Sequence, residues 1–546
     1  MPWQTITVPS VGGGINVSAN PLAIDQSQWS WGDGYIARNG VAEPLAAFSL
    51  ITLGSGYLPA GTHTVIGLVP NPFDYTTPVI VVSVVTASGF PHLWLVATSG
   101  TVTHVTWDAV GTQPVGSTLL GVNYGFLNKT LVISLGVGSG TYSLIKYLGG
   151  GVNFSAINTP ATALSATFLA SFKSSLVAAS VQRANAAPDS GTERQFAWAD
   201  INTTDTWDPA ISNAADFGFL DDVGTGITGM ADLGQNTLGL FTGDGIHSLT
   251  PTGGIPLYTR SALSTLSVPA TKYGGLGGVL FPALYGRMPT GTVVKAADNL
   301  YLLSGGGAQP IGANIFRYLV AEEIRVGAGL KVPSPYFWHK RLGLFVVTRP
   351  GASGNDPNRL FYYDPVTGAW SHRGILGPEL SSNATTMPFR NCYANCISIV
   401  GTGLGYHFFV DPAGDVYFDN PGAIPFGGEY FDTKDFTFGD PPTSFHVNLV
   451  RVEWEMLENV ITDGVQVFAA MRNSFSPAAL GSLGLDMQDL NFVSLGTLNG
   501  GVSDLPCNLT GKVVRFRFMN VSGAWTRIRG FSFRCRVGGE RPLNVS

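Results

Sequence analysis

From Val79 the chain reads Val79-Ile-Val-Val-Ser-Val-Val85, breaks at Thr86-Ala-Ser-Gly89, and turns apolar again at Leu93-Trp-Leu-Val-Ala97. A run dominated by β-branched side chains, a break of small turn formers and a second short apolar run predict two strands joined by a tight connection. The same unit recurs in both directions. Leu131 to Leu135, Thr237 to Phe241, Asn299 to Leu303, Leu342 to Val347 and Leu360 to Tyr363 are each a brief apolar or alternating run bounded by Gly, Pro, Asn or Asp. Such segments number well over about twenty from Thr64 onward, more than one barrel or sandwich closes around, and this predicts radial repetition of small sheets, a β-propeller.

Composition agrees with an all-β fold. The 546 residues include 70 Gly and 34 Pro, which excludes long helical bundles. They also include 32 Phe, 18 Tyr and 11 Trp, which excludes a disordered chain because so many rings need a core. Charged residues are 12% of the chain, against roughly 25% in ordinary soluble domains. A surface so poor in charge suits a subunit that covers itself with neighbours. Four cysteines are too few for a disulfide framework, and Cys392 and Cys396 lack the second ligand pair that a zinc site requires. No metal and no cofactor are expected. Met-Pro-Trp-Gln-Thr-Ile-Thr at the start has no basic leader or apolar stretch, so no secretory signal is expected. Pro78 to Ala87 is too short to span a membrane, and Ala161 to Ser180 contains Lys173, so no membrane span is expected.

Three regions differ in character. Residues 1–50 set Trp3, Trp29 and Trp31 among Gly, Asn and Ser, and read as an extended arm that needs a partner surface to bury its tryptophans. Residues 51–440 carry the strand repeats of the propeller. Residues 441–546 read as a separate C-terminal β domain resembling a sandwich: 441–506 hold 2 basic and 7 acidic side chains, and 507–541 hold 8 basic and 1 acidic. Polar turns followed by a tryptophan recur at Asp364 to Trp370, Asn520 to Trp525 and, more loosely, Asp200 to Trp207, where the ring can cover a hairpin end. One helix is predicted, from Pro310 to Arg325, with Ile315, Phe316, Leu319 and Val320 at helical spacing.

Sites of chemistry are hard to find. Gly224-Thr-Gly226-Ile-Thr-Gly229 has the spacing of a dinucleotide-binding loop, but strand-like residues follow it instead of a helix, so a β-turn is expected. No phosphate loop, zinc helix or nucleophile elbow occurs. The eight histidines are dispersed through strand-like runs beside aromatics and read as structural. Asp221-Asp222 and Glu322-Glu323 are adjacent pairs, whose side chains diverge, and make poor catalytic couples for glycoside hydrolysis. The chain is not expected to be an enzyme.

The order of motifs resembles that of β-propeller tail tube, hub and nozzle proteins of tailed double-stranded DNA bacteriophages. The resemblance rests on Gly12-Gly13-Gly14-Ile15-Asn16 with Pro21-Leu22 and Tyr35-Ile-Ala-Arg38-Asn39-Gly40. Phe196-Ala-Trp198-Ala-Asp200 leading to Trp207-Asp-Pro209, Ile227-Thr-Gly229, and Leu238 to Thr242 running on to Gly245-Ile-His-Ser-Leu249 follow in order. Asp298-Asn-Leu-Tyr-Leu302, Pro310-Ile-Gly312, and Leu360 to Asp364 with the Thr367 to Trp370 turn complete it. It implies a structural protein of the virion tail, assembled as a ring of sister subunits, often six, between portal and adaptor proteins and distal tail parts. Double-stranded DNA would pass through the lumen without sequence-specific contact. A net charge of −6 suits passage better than grip, since each neutralised phosphate adds affinity. The alternatives are a propeller that binds or depolymerises host glycans and an extracellular adhesion propeller.

The candidate contact residues are four arginines. Arg515 and Arg517 alternate with Val514, Phe516 and Phe518, and Arg534 and Arg536 alternate with Phe531, Phe533 and Cys535. Period two puts the arginines of the two strands on one face and the aromatics on the other. That face is expected to touch DNA at a constriction, to pair with the acidic 441–506 stretch of a neighbour, or to be a solvated surface balanced by acids of the same chain.

Overall fold

The computed structural model describes residues 2–538 except 20, 47, 60–61, 109–112, 117–121, 137–143, 152, 158–163, 184–191, 235, 270–284, 305–306, 317–318, 320–335, 340–341, 351–356, 375–393, 401–404, 412, 421, 426, 439–442, 457–463, 473–491, 499–501, 522 and 524. The chain is all-β: a propeller, an N-terminal arm and a C-terminal sandwich.

Among the described residues, seven four-stranded blades follow one another around the propeller. Blade one runs from His63–Pro70 to Val102–Trp107 and blade two from Asn123–Leu127 to Asn153–Ala156. Their outer strands pair in parallel at Thr106 and Asn153, which joins the two blades into one eight-stranded sheet. Blades three to six begin at Leu164–Phe172, Ile227–Gly234, Tyr285–Met288 and Tyr336–His339. The first strands of neighbouring blades approach one another, so the first strands line the axis.

The middle strands were the most legible ones. Val79–Val85 and Thr130–Ser134 are second strands, and nearly every residue in them is buried. Blades pack on both of their faces, which removes the polar alternation and leaves a continuous apolar run. Outermost strands such as Asp216–Phe219 and Gly307–Pro310 alternate or are exposed throughout, whereas Trp370 to Arg373 of blade six are buried beneath the arm.

Blade seven closes the ring with a strand from elsewhere in the chain. Ala394–Ile399, Gly405–Val410 and Val416–Phe418 supply three strands, and Ser49–Ile51 pairs with the last of them as the fourth. Ile51 and residues of blade seven such as Phe408 and Val416 share a core with Val65, Val81 and Trp94 of blade one.

The arm and the last hundred residues form one sandwich. In the first sheet Thr526–Val537 pairs with Phe445–Met456, with Gln4–Val8 and with the hairpin Tyr35–Arg38 and Val41–Pro44. In the second, Trp29–Asp33 pairs with Tyr430–Thr433, which pairs with Val513–Asn520. Between them Phe516 and Phe518 meet Phe531, with ring centroids 5.5 and 5.3 Å apart. Strand pairing therefore crosses both expected boundaries: the arm contributes to both sheets, and Tyr430–Thr433 lies before residue 441.

Trp29 and Trp31 are buried on the arm's own chain and need no partner surface, whereas Trp3 stays exposed. Trp29 stacks on Phe431 at 4.6 Å and donates its indole N–H to the Val11 carbonyl at 2.7 Å. Trp31 lies 4.6 Å from His372 of blade six. The glycine run lets the arm thread through: a Cβ on Gly12 would sit 2.3 Å from Gly40, and one on Gly14, whose φ is +69°, would sit 2.3 Å from the Trp370 carbonyl. Ile15 N–H donates to that same carbonyl at 2.6 Å. Asn39 and Gly40 both have positive φ and form the tight Asn-Gly hairpin turn.

Two local expectations need correction. Pro310 ends the strand Gly307–Pro310, and helical hydrogen bonding begins only beyond it, with Phe316 N–H to Gly312 and Leu319 N–H to Ile315. Residues 320–325 of the expected helix lie outside the described residues. The tryptophan turns at Trp207 and Trp370 each sit between the third and fourth strands of a blade, but the turn before Trp525 joins the two sandwich sheets. It is therefore not a propeller signature.

Candidate functional site

The expected single arginine face is two faces. Alternation places each arginine correctly relative to the phenylalanines. However, Val513–Asn520 and Thr526–Val537 lie in opposite sheets, so their outward directions oppose one another. Arg515 and Arg517 are buried. Arg517 faces Asp432 across the strand pair and donates two hydrogen bonds to it, at 2.7 and 2.9 Å, and its guanidinium lies over the rings of Tyr430 and Phe492 at 4.4 and 4.2 Å. Asp432 holds the Arg517 pKa above its ordinary value despite the desolvation that opposes it. Arg515 donates to Asp435 at 2.8 Å, and Arg472 pairs with the same carboxylate. Arg534 and Arg536 are exposed on the other sheet, Arg534 lying 5.2 Å from the Trp3 ring.

A different group of arginines lines a cleft. Arg38, Arg527 and Arg529 surround an opening of about 570 Å³ together with Glu43, Glu455, Pro9 and the Asn39-Gly40 turn. Arg527 donates to Glu43 at 3.0 Å and to Glu455 at 3.5 Å, and Arg529 donates to Glu455 at 2.6 Å. Arg38 approaches Glu43 no closer than 3.9 Å. Charges thus alternate across the outer face of this sheet, with an exposed guanidinium at each end. The signal was present in the sequence, since Arg527-Ile528-Arg529 alternates as Arg534-Cys535-Arg536 does, although an irregularity at Arg529 puts the two runs out of phase. Glu43, 484 residues away in the chain, carried no sign of its role.

Three histidines that are far apart in the sequence share one face of blade one. His63, His92 and His104 come from its first, third and fourth strands. The His92 and His104 rings stack at 5.0 Å with ring nitrogens 2.8 Å apart, and His63 meets His92 edge-on at 4.7 Å. Burial lowers all three pKa values, and the neighbouring imidazoles help push His92 down to about 4. Other histidines are enclosed singly or in pairs, as with His339, which stacks on His407 at 4.2 Å and lies 3.3 Å from Asp419.

The remaining candidates are structural. Gly224 and Thr225 donate backbone N–H groups to Asp244, and the strand Ile227–Gly234 follows, which is the expected turn. Asp221 and Asp222 both pair with Arg260, at 3.4 and 2.6 Å. Glu322 and Glu323 lie outside the described residues. Asp411 caps the turn to Asp415, accepting its N–H at 2.9 Å, and desolvation raises its pKa to about 6. Among the described residues no helix is long and apolar enough to cross a membrane.

No protein-family profile matches the chain, and no curated protein sequence does either. Among solved structures, the chain is similar to an exo-β-1,3-galactanase from Phanerochaete chrysosporium crystallised with galactose, at 10% identity and a TM-score of 0.24, covering 78% of this chain and 98% of that one. It is also similar to a puromycin hydrolase mutant complexed with PGG, at 11% identity and a TM-score of 0.32, covering 74% of this chain and 62% of that one.

Proposed function

We propose that this chain is a structural protein of a tailed double-stranded DNA bacteriophage, assembled as a ring in the virion tail with its propeller and sandwich forming the wall. The observation that carries the reading is the outermost strand of blade three. There Phe217 and Phe219 point outward, with Ile201 and Ile211 exposed on the segment that precedes the strand. Large apolar side chains at a blade's rim, on a chain with few charges, suit lateral packing against a sister subunit. The motifs behind the resemblance have mechanical roles consistent with this. Gly12 to Asn16 and Tyr35 to Gly40 fasten arm, sandwich and blade six to one another, as a wall under tension requires. The arginine cleft, with unused donors on Arg38 and Arg529, is the second surface we assign to neighbours in the tail.

Sedimentation of the purified chain against concentration tests the reading. Closed oligomers are expected, and replacing Phe217 and Phe219 by Ser should leave monomers. Monomers of the unaltered chain at every concentration would count against it.

Glycan binding is the second reading, favoured by exposed Tyr75 and Phe126 beside Phe73, whose ring lies 5.7 Å from that of Phe126. Saturable binding of host polysaccharide, lost on replacing Tyr75 and Phe126 by Ala, would support it over the tail reading.

A further inference from the structure

The ring of blades is closed by a short chain of contacts that ends on the histidines of blade one. The segment 52–58 leads from Ser49–Ile51, the borrowed strand of blade seven, directly to blade one. Tyr57 on this segment donates to the Gly414 carbonyl of blade seven at 2.8 Å, and its ring meets Trp94 of blade one edge-on at 5.7 Å. Trp94 stacks on His104 at 4.4 Å and donates its indole N–H to Ser83 at 2.9 Å, and Ser83 lies 3.3 Å from the His63 ring nitrogen. The indole that receives Tyr57 is thus positioned by imidazoles on three of the four strands of its blade.

We propose that His63, His92 and His104 are an acid-sensitive clasp: protonation drives the three imidazoles apart, frees Trp94 from its stack and loosens the seam between blades seven and one. The clasp holds when the rings are neutral, because neutral imidazoles can stack and share a proton between nitrogens 2.8 Å apart. Two or three positive charges at centroid separations of 4.7 and 5.0 Å repel one another in a half-buried site. Among the described residues no carboxylate offsets them: the charges acting on His92 and His104 are those of other imidazoles.

Among the described residues the titratable groups packed nearby are few. They are Tyr57 on the closing segment and Cys396 and Tyr406 across the seam in blade seven, with Asp411 and Asp415 on the far side of the Tyr57 hydroxyl. The sign follows from the lowered histidine values. Stability from the neutral clasp is fully present above about pH 6.5 and is lost as pH falls toward about 4, the value for His92. Asp411, whose pKa is raised, works in the opposite sense, so the three imidazoles must outweigh one carboxyl.

Hydrogen exchange of the full chain at pH 7.0 and pH 4.5, corrected for intrinsic rates, tests the clasp. Exchange in 52–58 and in the strands Pro91–Val96 and Val102–Trp107 should rise at least ~10-fold on acidification, while blades three and five, which carry no histidine among their described residues, change far less. His92→Gln should flatten the response, and so should His104→Gln, an exposed outer-strand change that serves if the first variant folds poorly. An acid response of the same size in His104→Gln, or one spread evenly over all blades, would overturn the proposal.

Discussion

Arg517 and Asp432 sit directly opposite one another in neighbouring strands of the sandwich and share two hydrogen bonds with almost no solvent contact. The pair joins Tyr430–Thr433, which enters from the propeller side of the chain, to the strand Val513–Asn520. Breaking one partner strands a buried charge. Asp432→Ala should therefore cost about 3–5 kcal/mol in urea denaturation, whereas Asp432→Leu combined with Arg517→Met should recover most of that loss.

Gly14 is a second point of high cost. Any side chain there combines a left-handed backbone with a Cβ 2.3 Å from the Trp370 carbonyl. Gly14→Ala should lower stability by about 2–4 kcal/mol, read from the denaturation midpoint, and should expose Trp29 and Trp31 to added quencher at lower denaturant than in the unaltered chain.

Charges in the cleft should matter little to the single subunit. Arg529 is 59% exposed, so Arg529→Gln should change stability by less than about 1 kcal/mol, and raising the salt concentration should shrink even that. If the cleft faces a neighbour, Arg529→Glu should leave the monomer's melting unchanged and still weaken assembly, measured by sedimentation.

Asp411 gives a pH dependence of defined sign. Its folded pKa of about 6 exceeds the ordinary 3.8, so its protonated form stabilises the fold at low pH, and that contribution is lost as pH rises through about 6. Asp411→Asn should be near neutral at pH 4 and stabilising by roughly 2 kcal/mol at pH 7.5, because an amide oxygen can still accept the Asp415 N–H.

Thiol chemistry offers a further check on burial. Cys396, Cys507 and Cys535 are free and buried, and desolvation holds Cys507 and Cys535 at about 11. These three should resist a thiol reagent at pH 8 in the native state and react together on unfolding.

The blades were legible where burial is two-sided. Val79–Val85 reads directly from its sequence because both faces are dry, but outermost strands such as Asp216–Phe219 and Gly307–Pro310 are short and mixed, and no periodicity marks them. Blade count was out of reach for a related reason, since the fourth strand of blade seven comes from residues 49–51, more than three hundred positions before its partner. The arginine alternation correctly separated a polar from an apolar face in each strand. It could not reveal that Arg517 and Arg534 belong to opposite sheets, because that depends on whether the chain between Asn520 and Thr526 turns back within one sheet or crosses to the other. The histidine cluster was hidden by sequence separation, its members brought together only by the register of four strands.

Imaging of purified particles, with the chain counted by quantitative mass spectrometry, shows whether it forms a ring in a virion tail. A closed ring of density in the tail that accommodates propeller and sandwich is expected, present at one ring's copy number per particle. Particles that lack the chain, or carry it as isolated single copies, would contradict it.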